Sequence, residues 1–462
     1  MESDELLAGL DAEQARVVRT LGEPVAVIAG AGTGKTRTIV HRLAYAIDAG
    51  AIDPRATLAV TFTTAAAAEV SRRLDAMGTP KVASRTFHSA CLRQAQYFWP
   101  QIYNATLPAV TDRRDLLIKQ ACARLGLPGS DAVVREIDAE IAWTKQTNVL
   151  PEQYEDLARA DRRSLAYVDI GRIPDAIVAY EDAKQAACVI DLDDVLLCTL
   201  ALLATSGEVA RKVRNTYRHF VFDEFQDVSP VQVRLAELWV GGRGDVCVVG
   251  DPAQTIHSYA GSRSAYLTSF AAKNRAAELD LTLNHRSTPQ IVAAANLVNA
   301  SSRKLRPSLA PGAPVEVRSY PDPQAESVGV AQWLKALHRD GLAWEDMAVL
   351  FRTRAGAESV RQILADQAVP FNYRHRDQPD RPGVTLTTLH SSKGLEWEAV
   401  AICGVHDQAF PHPAALSDEQ IAESRRVLYV GMTRARSFLS VSWPATVDSR
   451  PRSPSPFLGG LV

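Results

Sequence analysis

Two stretches nearly two hundred residues apart have the residue types to hydrolyse a nucleoside triphosphate together. AGAGTGKT at 29–36 follows the apolar run VAVI. A buried strand running into a Gly-rich turn and then a helix points backbone N–H groups and a helix N-terminus at phosphates. Ala29, Gly30, Ala31, Gly32, Thr33 and Gly34 would form that cradle, with Lys35 reaching the outer phosphates and Thr36 binding Mg²⁺. HFVFDEFQD at 219–227 is an apolar strand ending in two carboxylates, which would deliver Asp223 to the metal and Glu224 to the attacking water.

Each stretch alone has a plainer reading. The first departs from a strict phosphate-loop pattern by carrying Ala29 where Gly is required, and a Gly-rich turn after a strand can be only a tight connection. Asp223 and Glu224 could be a solvated strand end. A carboxylate pair directly after His-Phe-Val-Phe is costly without a role, however, so the two stretches reinforce each other.

The elements that must hold these residues form an interrupted α/β pattern. Apolar runs at 25–28, 58–62, 219–222 and 246–249 alternate with helical patterns, the signature of a parallel sheet. Between about 107 and 184 strand signals give way to helical periodicity, an all-α insertion. A second α/β block opens near Glu278, with strands expected at 279–283, 315–319, 347–351, 384–388, 400–403 and 438–442. Pro and Ser crowd 444–456, which reads as irregular.

Composition narrows the function classes. A chain of 462 residues, 46% hydrophobic, should form two or three domains of a soluble enzyme. The 51 Lys and Arg against 53 Asp and Glu argue against a generally basic nucleic-acid binder, so a DNA groove must be local. The six cysteines form no CxxC or Cys/His cluster, which makes a zinc or iron–sulfur site unexpected. The acidic start MESDELLAGLDAEQ has no signal-peptide pattern and no stretch reaches membrane-span length, so a cytoplasmic protein without a membrane partner is expected.

Read in order, LDAEQ, AGAGTGKTR, TLAVTFTTAAAAEV, RTFHSACL, FDEFQD, VVGDPAQTI, LTLNHRST, VTLTTLHSSKGLEWEAV and RRVLYVGMTRAR resemble the motifs of UvrD/Rep/PcrA-type superfamily 1A DNA helicases. The resemblance runs from about Leu10 to Leu461. It implies two RecA-like P-loop NTPase domains: 1A from 1–104 and 188–276, a helical insertion 1B at 105–187, and 2A at 277–462, with no C-terminal accessory module.

The resemblance also implies roles. Gln14 would pair with adenine, Arg37 would lie near base and phosphates, and Gln254 would bond the γ-phosphate and report its loss. Arg286 and Arg434 resemble the family's γ-phosphate arginines, which stabilise transition-state charge. Glu396 would bind the ribose. His285 stands where the family commonly has the Tyr that stacks on adenine, so base stacking should be weaker. Phe62, Thr63, Phe87, His88, His257, Tyr259, Thr388, His390 and Ser391 match positions lining the single-strand groove, although for each aromatic taken singly core packing is the commoner explanation. Ala260 replaces a usual Arg, and Thr64-Ala65 a usual Asn-Lys.

Two departures concern strand separation. The family's large accessory domain 2B interrupts the second block just before TLHSSKG, whereas here only 372–383 stand there, too few for a folded domain. The β-hairpin after the last Arg motif is shortened, with prolines weakening a strand reading. The expected function is an ATP-dependent, Mg²⁺-requiring 3′ to 5′ helicase or translocase on single-stranded DNA or 3′-tailed duplex, in repair or replication, with a protein loading partner. The alternatives are a translocase that strips proteins without unwinding, and a non-motor ATP switch that recruits partners. A phosphotransferase would leave every block from Ala271 onward unexplained.

Overall fold

The computed structural model describes residues 3–461 apart from 257, 374–381, 414 and 416. Two compact units divide the chain. The first is Met1–Ile28, Lys35–Pro252 and His257–Asp280; the second is Ala29–Gly34, Ala253–Ile256 and Leu281–Val462.

The first unit is built on a six-stranded sheet of β1 (Val25–Ala29), β2 (Thr57–Thr61), β3 (Ala83–Thr86), β4 (His219–Phe222), β5 (Val246–Gly250) and β6 (Ala277–Leu281), in the order β3-β2-β4-β5-β1-β6. The pairs β2/β3, β2/β4, β4/β5 and β1/β5 are parallel. β1, β2 and β5 are buried at every position, which is why they read as unbroken apolar runs. One sequence expectation is corrected, and one strand had not been expected. The strand placed at 279–283 begins at Ala277 and completes this first sheet rather than opening the second block. β3, with the polar sequence Ala-Ser-Arg-Thr, gave no apolar signal because it is an edge strand paired only with β2.

The helical insertion leaves and rejoins this unit through a short parallel pair, Ala109–Val110 against Val189–Ile190. Four helices, α1 (Arg114–Leu125), α2 (Asp131–Thr147), α3 (Pro151–Ala160) and α4 (Ile173–Ala186), close over their own core of Leu117, Ile118, Ile137, Ile141, Tyr154 and Tyr180. At the base, Lys145 Nζ lies 2.6 Å from both Asp191 and Asp194, Tyr180 donates to Asp191 at 2.7 Å, and Arg114 meets Asp193 at 2.6 Å. Removing one partner of such a buried pair costs about 3–5 kcal/mol, so the network fixes the insertion's footing.

The second unit carries β7 (Glu316–Tyr320), β8 (Met347–Phe351), β9 (Phe371–Tyr373), β10 (Val384–Thr388), β11 (Trp397–Ile402) and β12 (Ala435–Pro444), ordered β7-β12-β11-β8-β10-β9 and parallel throughout. Alternation sorts β8 between two cores. Ala348 and Leu350 face Val400, Ile402 and Leu428, while Met347, Val349 and Phe351 face the layer containing Leu334 and Leu364. β9 pairs with β10, and Asn372 Nδ2 donates to Gly383 O at 3.1 Å, so the two ends of the 372–383 segment touch. Most of that segment, 374–381, lies outside the described residues.

The 444–456 stretch, expected to be irregular, contains a small antiparallel hairpin of Thr446–Val447 and Arg450–Pro451. Asp448 and Ser449 at its tip have φ of 50° and 61°, the left-handed pair that suits a two-residue hairpin loop. With only two residues per strand, no strand-length pattern was there to read. Among the described residues no helix is long and apolar enough to cross a membrane.

Candidate nucleotide and single-strand site

The phosphate loop is split by the division into units: Ala29–Gly34 group with the second, and Lys35 opens the Lys35–Asp48 helix of the first. Ala29 is accommodated because it is the last residue of β1, fully buried and paired into the sheet, where no positive φ is needed. The glycine demand falls at Gly32, with φ +70°, where a Cβ would lie 2.5 Å from Asn284 Nδ2.

In the first unit β4 ends at Asp223 and Glu224. Lys35 Nζ stands 4.0 Å from Glu224 Oε1, and the Glu224 N–H donates to Asp223 Oδ1 at 2.9 Å. Glu224 has φ +53°, a strained backbone for a residue with a side chain and one that collects at functional sites. Gln226, fully buried, ties the acidic group together. Its amide donates to Glu224 Oε2 and, at 3.0 Å, to Asp227 Oδ2, while its carbonyl accepts from Asp251 N at 3.0 Å. A Cβ on Gly250 would come within 2.1 Å of that carbonyl, so the end of β5 must be glycine. Sequence reasoning passed over Gln226, two residues after Glu224, because its importance lies in these partners.

Burial, and then the neighbouring Glu224 charge, push the Asp223 carboxyl up to about 7, with Lys35 pulling the other way. A buried carboxylate so disfavoured as an anion is arranged to meet positive charge. With the Thr36 hydroxyl it would supply the few protein oxygens that a triphosphate-bound Mg²⁺ requires. Among the described residues no group of three or more His, Cys, Asp or Glu is placed to hold an ion by itself.

Gln14 was expected in a helix-like stretch ahead of the first strand. It lies 1% exposed in the Ala12–Arg19 helix, and its side-chain oxygen closes a capping box by accepting from Asp11 N at 3.3 Å. Arg37 is exposed and donates to Gly9 O at 3.0 Å.

The second unit gathers the arginines. Asn284 is 1% exposed and uses its whole amide. Its Nδ2 donates to Ala31 O at 2.8 Å, and its Oδ1 accepts from Arg286 N at 3.0 Å and Ser287 N at 2.8 Å. It therefore fixes the Arg286 backbone against the cradle, a role the sequence reading missed. Arg286 forms an ion pair with Glu396 at 2.6 Å and donates to Thr433 O at 3.3 Å. Arg434, 2% exposed, donates to Val430 O, Leu395 O and Gln254 Oε1 at 2.8, 3.2 and 3.1 Å. The Gln254 turn is also held by Lys393 Nζ on Gln254 O at 2.6 Å and Arg426 Nε on Thr255 O at 2.7 Å. His285 donates its N–H to Gly32 O at 2.9 Å, and its exposed ring meets Ser308 Oγ at 3.1 Å.

The expected single-strand residues divide. Phe62 and Tyr259 are 45% and 58% exposed, open enough to stack a base. Phe87 is a correction: at 5% exposure its ring stacks on Phe222 and Trp239, with centroids 5.8 and 5.6 Å away, so it is core and offers no platform. His88 is mostly buried, which lowers its pKa, and among the described residues its Nε2 has no hydrogen-bond partner. The Thr63 hydroxyl caps the Thr64–Ala76 helix by accepting from Ala66 N at 3.1 Å. His257 lies outside the described residues.

Thr388 and Ser391 form a tight turn, Ser391 N donating to Thr388 Oγ1 at 3.2 Å. His390 Nδ1 accepts from Arg352 Nη1 at 3.4 Å. Burial, then the Arg352 and Lys393 charges, drive the His390 pKa down to about 4, so at neutral pH it contributes hydrogen bonding and no charge.

Comparison with known proteins follows this geometry. The UvrD/REP helicase N-terminal domain matches residues 10–275, and the UvrD-like helicase C-terminal domain matches 279–378 and 372–446. The chain is 33% identical to ATP-dependent DNA helicase UvrD2 of Mycobacterium tuberculosis, covering all of this chain and 82% of that protein in an alignment of 578 positions. It is 30% identical to ATP-dependent DNA helicase UvrD1 of the same species, over 80% of this chain and 50% of that one.

Proposed function

Because the chain belongs to the UvrD/REP helicase family, we propose that it is an ATP-dependent DNA helicase that moves 3′ to 5′ along single-stranded DNA in repair or replication, consuming Mg-ATP. The observation that carries the hydrolytic part is the Lys35, Asp223, Glu224 and Gln226 cluster at the end of β4. Lys35 binds the outer phosphates, Asp223 and Thr36 take the metal, and Glu224 accepts the proton of the attacking water. Arg286 and Arg434 stabilise the charge that develops on the transferred phosphate, and Gln254, bonded to Arg434, senses its departure. Glu396 takes the ribose, Gln14 and His285 the adenine. Phe62, Tyr259, Thr388, His390 and Ser391 bind the strand.

A second reading, a translocase that displaces bound proteins without parting duplex, is favoured by two observations. The hairpin after the last arginine motif has two residues per strand, and the 372–383 segment closes on itself by Asn372 and Gly383. The alignment with UvrD2, longer than this chain by more than a hundred positions, and the break in the C-terminal family match near residue 378 support the loss of an accessory 2B domain there. Single-turnover displacement on duplexes with a 3′ or a 5′ single-stranded tail, with hydrolysis followed in the same samples, separates the readings. Displacement confined to the 3′-tailed duplex supports the helicase. DNA-stimulated hydrolysis without displacement supports the translocase, and hydrolysis indifferent to DNA overturns both in favour of a nucleotide switch.

A further inference from the structure

We propose that Tyr167, on the helical insertion, is a second base-stacking platform beside the loop that bears Tyr259; this rests on the single-strand motor reading above. One face of α2 carries the residues that shape this surface. Glu136, Glu140, Trp143 and Thr147 are spaced four, three and four residues apart and so lie along one stripe of the helix.

Each position on the stripe holds a piece of the surface. The Glu136 carboxylate accepts three consecutive backbone N–H groups, from Ala166 at 2.5 Å and from Tyr167 and Val168 at 2.8 Å each. Leu165 and Val168 turn into the insertion's core, whereas Tyr167 between them is 64% exposed, and among the described residues its ring has no hydrogen-bond or ring partner. A carboxylate bonded to three successive amides makes this loop a fixed mount for an outward aromatic ring.

One turn further on, Glu140, 3% exposed, takes Arg163 Nε and Nη2 at 2.7 and 2.6 Å. The guanidinium lies over Trp143, 4.6 Å from the ring centroid, and its remaining Nη1 donates to Tyr259 O at 3.2 Å. Thr147 completes the stripe against Gly261, whose φ is +87° and where a Cβ would sit 2.6 Å from Thr147 Cγ2. Arg263 pairs with Asp161 at 3.4 Å. The loop bearing Tyr259 is thereby moored to the insertion, with Arg163 as its positioning residue.

The spacing suits a strand. Eleven residues of helix span about 16 Å, several times the 3.4 Å rise between stacked bases, so the two rings would meet different nucleotides. Exposed aromatic rings accompanied by an exposed cationic side chain, here Arg162, are the pattern of a sequence-tolerant single-strand track.

The test is equilibrium binding of a labelled oligothymidylate to the full chain and to Tyr167→Ala, Tyr167→Phe and Tyr259→Ala, with melting midpoints for each. Tyr167→Ala should bind roughly 5- to 150-fold more weakly, the loss of one stacked base. Tyr167→Phe, which keeps the ring, should bind like the parent, and an exposed ring should leave the melting midpoint unchanged. Parent-like binding by Tyr167→Ala beside weakened Tyr259→Ala overturns this inference alone. A parent protein that does not bind the oligonucleotide overturns the motor reading, and this inference with it.

Discussion

Two sheets of the same size and strand direction place their chemistry at different edges. In the first unit the candidate residues follow the carboxyl ends of strands: Lys35 and Thr36 after β1, Phe62 after β2, Asp223 and Glu224 after β4, Asp251 and Tyr259 after β5. That is the ordinary location of a ligand in a parallel α/β sheet. The second unit divides its candidates between both edges. Thr388, His390 and Arg352 follow the carboxyl ends of β10 and β8, while Glu396 and Arg434 immediately precede the amino ends of β11 and β12. Charge is weighted differently as well: Asp223 and Glu224 face Lys35 in the first unit, whereas Arg286 and Arg434 accompany Glu396 in the second. A fold used twice thus gives one unit with its candidates at a single edge and another whose two edges can answer to different ligands.

The largest effect should come from the carboxylate side. Glu224→Gln is expected to lower ATP turnover by about 10²–10⁴-fold while nucleotide and DNA affinity persist, because the metal ligand Asp223 is untouched. Steady-state hydrolysis beside direct nucleotide binding checks this. Unchanged turnover would remove Glu224 from its role and dissolve the contrast between the units.

Arg434→Ala and Arg286→Ala sharpen the arginine side. Each should cost roughly 10³-fold or more in turnover if it meets the transferred phosphate. They should part in stability. Arg434 is 2% exposed, and its loss removes a donor from the Leu395 carbonyl and one of two from the Val430 carbonyl, which Thr433 Oγ1 also meets at 2.9 Å, a cost of about 1–3 kcal/mol. Arg286 is less enclosed, and its loss should cost about 1 kcal/mol or less. Denaturant midpoints read the difference, and equal midpoints would refute the assigned burial roles.

A smaller effect lies in pH. Asp223 is pushed up from 3.8 to about 7, so the folded protein binds its proton more tightly than the unfolded chain, and that stability is lost as pH rises between these values. His390 is pushed down from 6.5 to about 4, so its contribution is whole above 6.5 and lost as pH falls towards 4. Asp223→Asn should therefore stabilise the metal-free protein most near pH 8, and His390→Gln most near pH 5, each by about 1–2 kcal/mol. Melting midpoints across pH that move in the same direction for both variants would contradict this opposition.

Much of this was legible where the chemistry coincides with an unbroken apolar run. β1, β4 and β5 announce the phosphate loop, the acidic pair and the GDPAQ turn because central parallel strands bury both faces. Two of the four edge strands were not legible: β3 and β9, paired on one side only, tolerate Ser, Arg and Asn. Phe87 failed for another reason, since an aromatic after a strand has the same spacing whether it faces a groove or a core. Only its stacking between Phe222 and Trp239 decides. Asn284 and Gln226 were invisible because an amide's importance comes from its partners, which a sequence does not list.

The contact between Asn372 and Gly383 has a practical consequence. A loop whose two ends already meet is a splice point, at which foreign sequence with neighbouring termini can be added without prying β9 from β10. A fluorescent or ligand-gated domain grafted there would ride on the second sheet, turning the enzyme's own cycle into an optical signal or bringing it under external command.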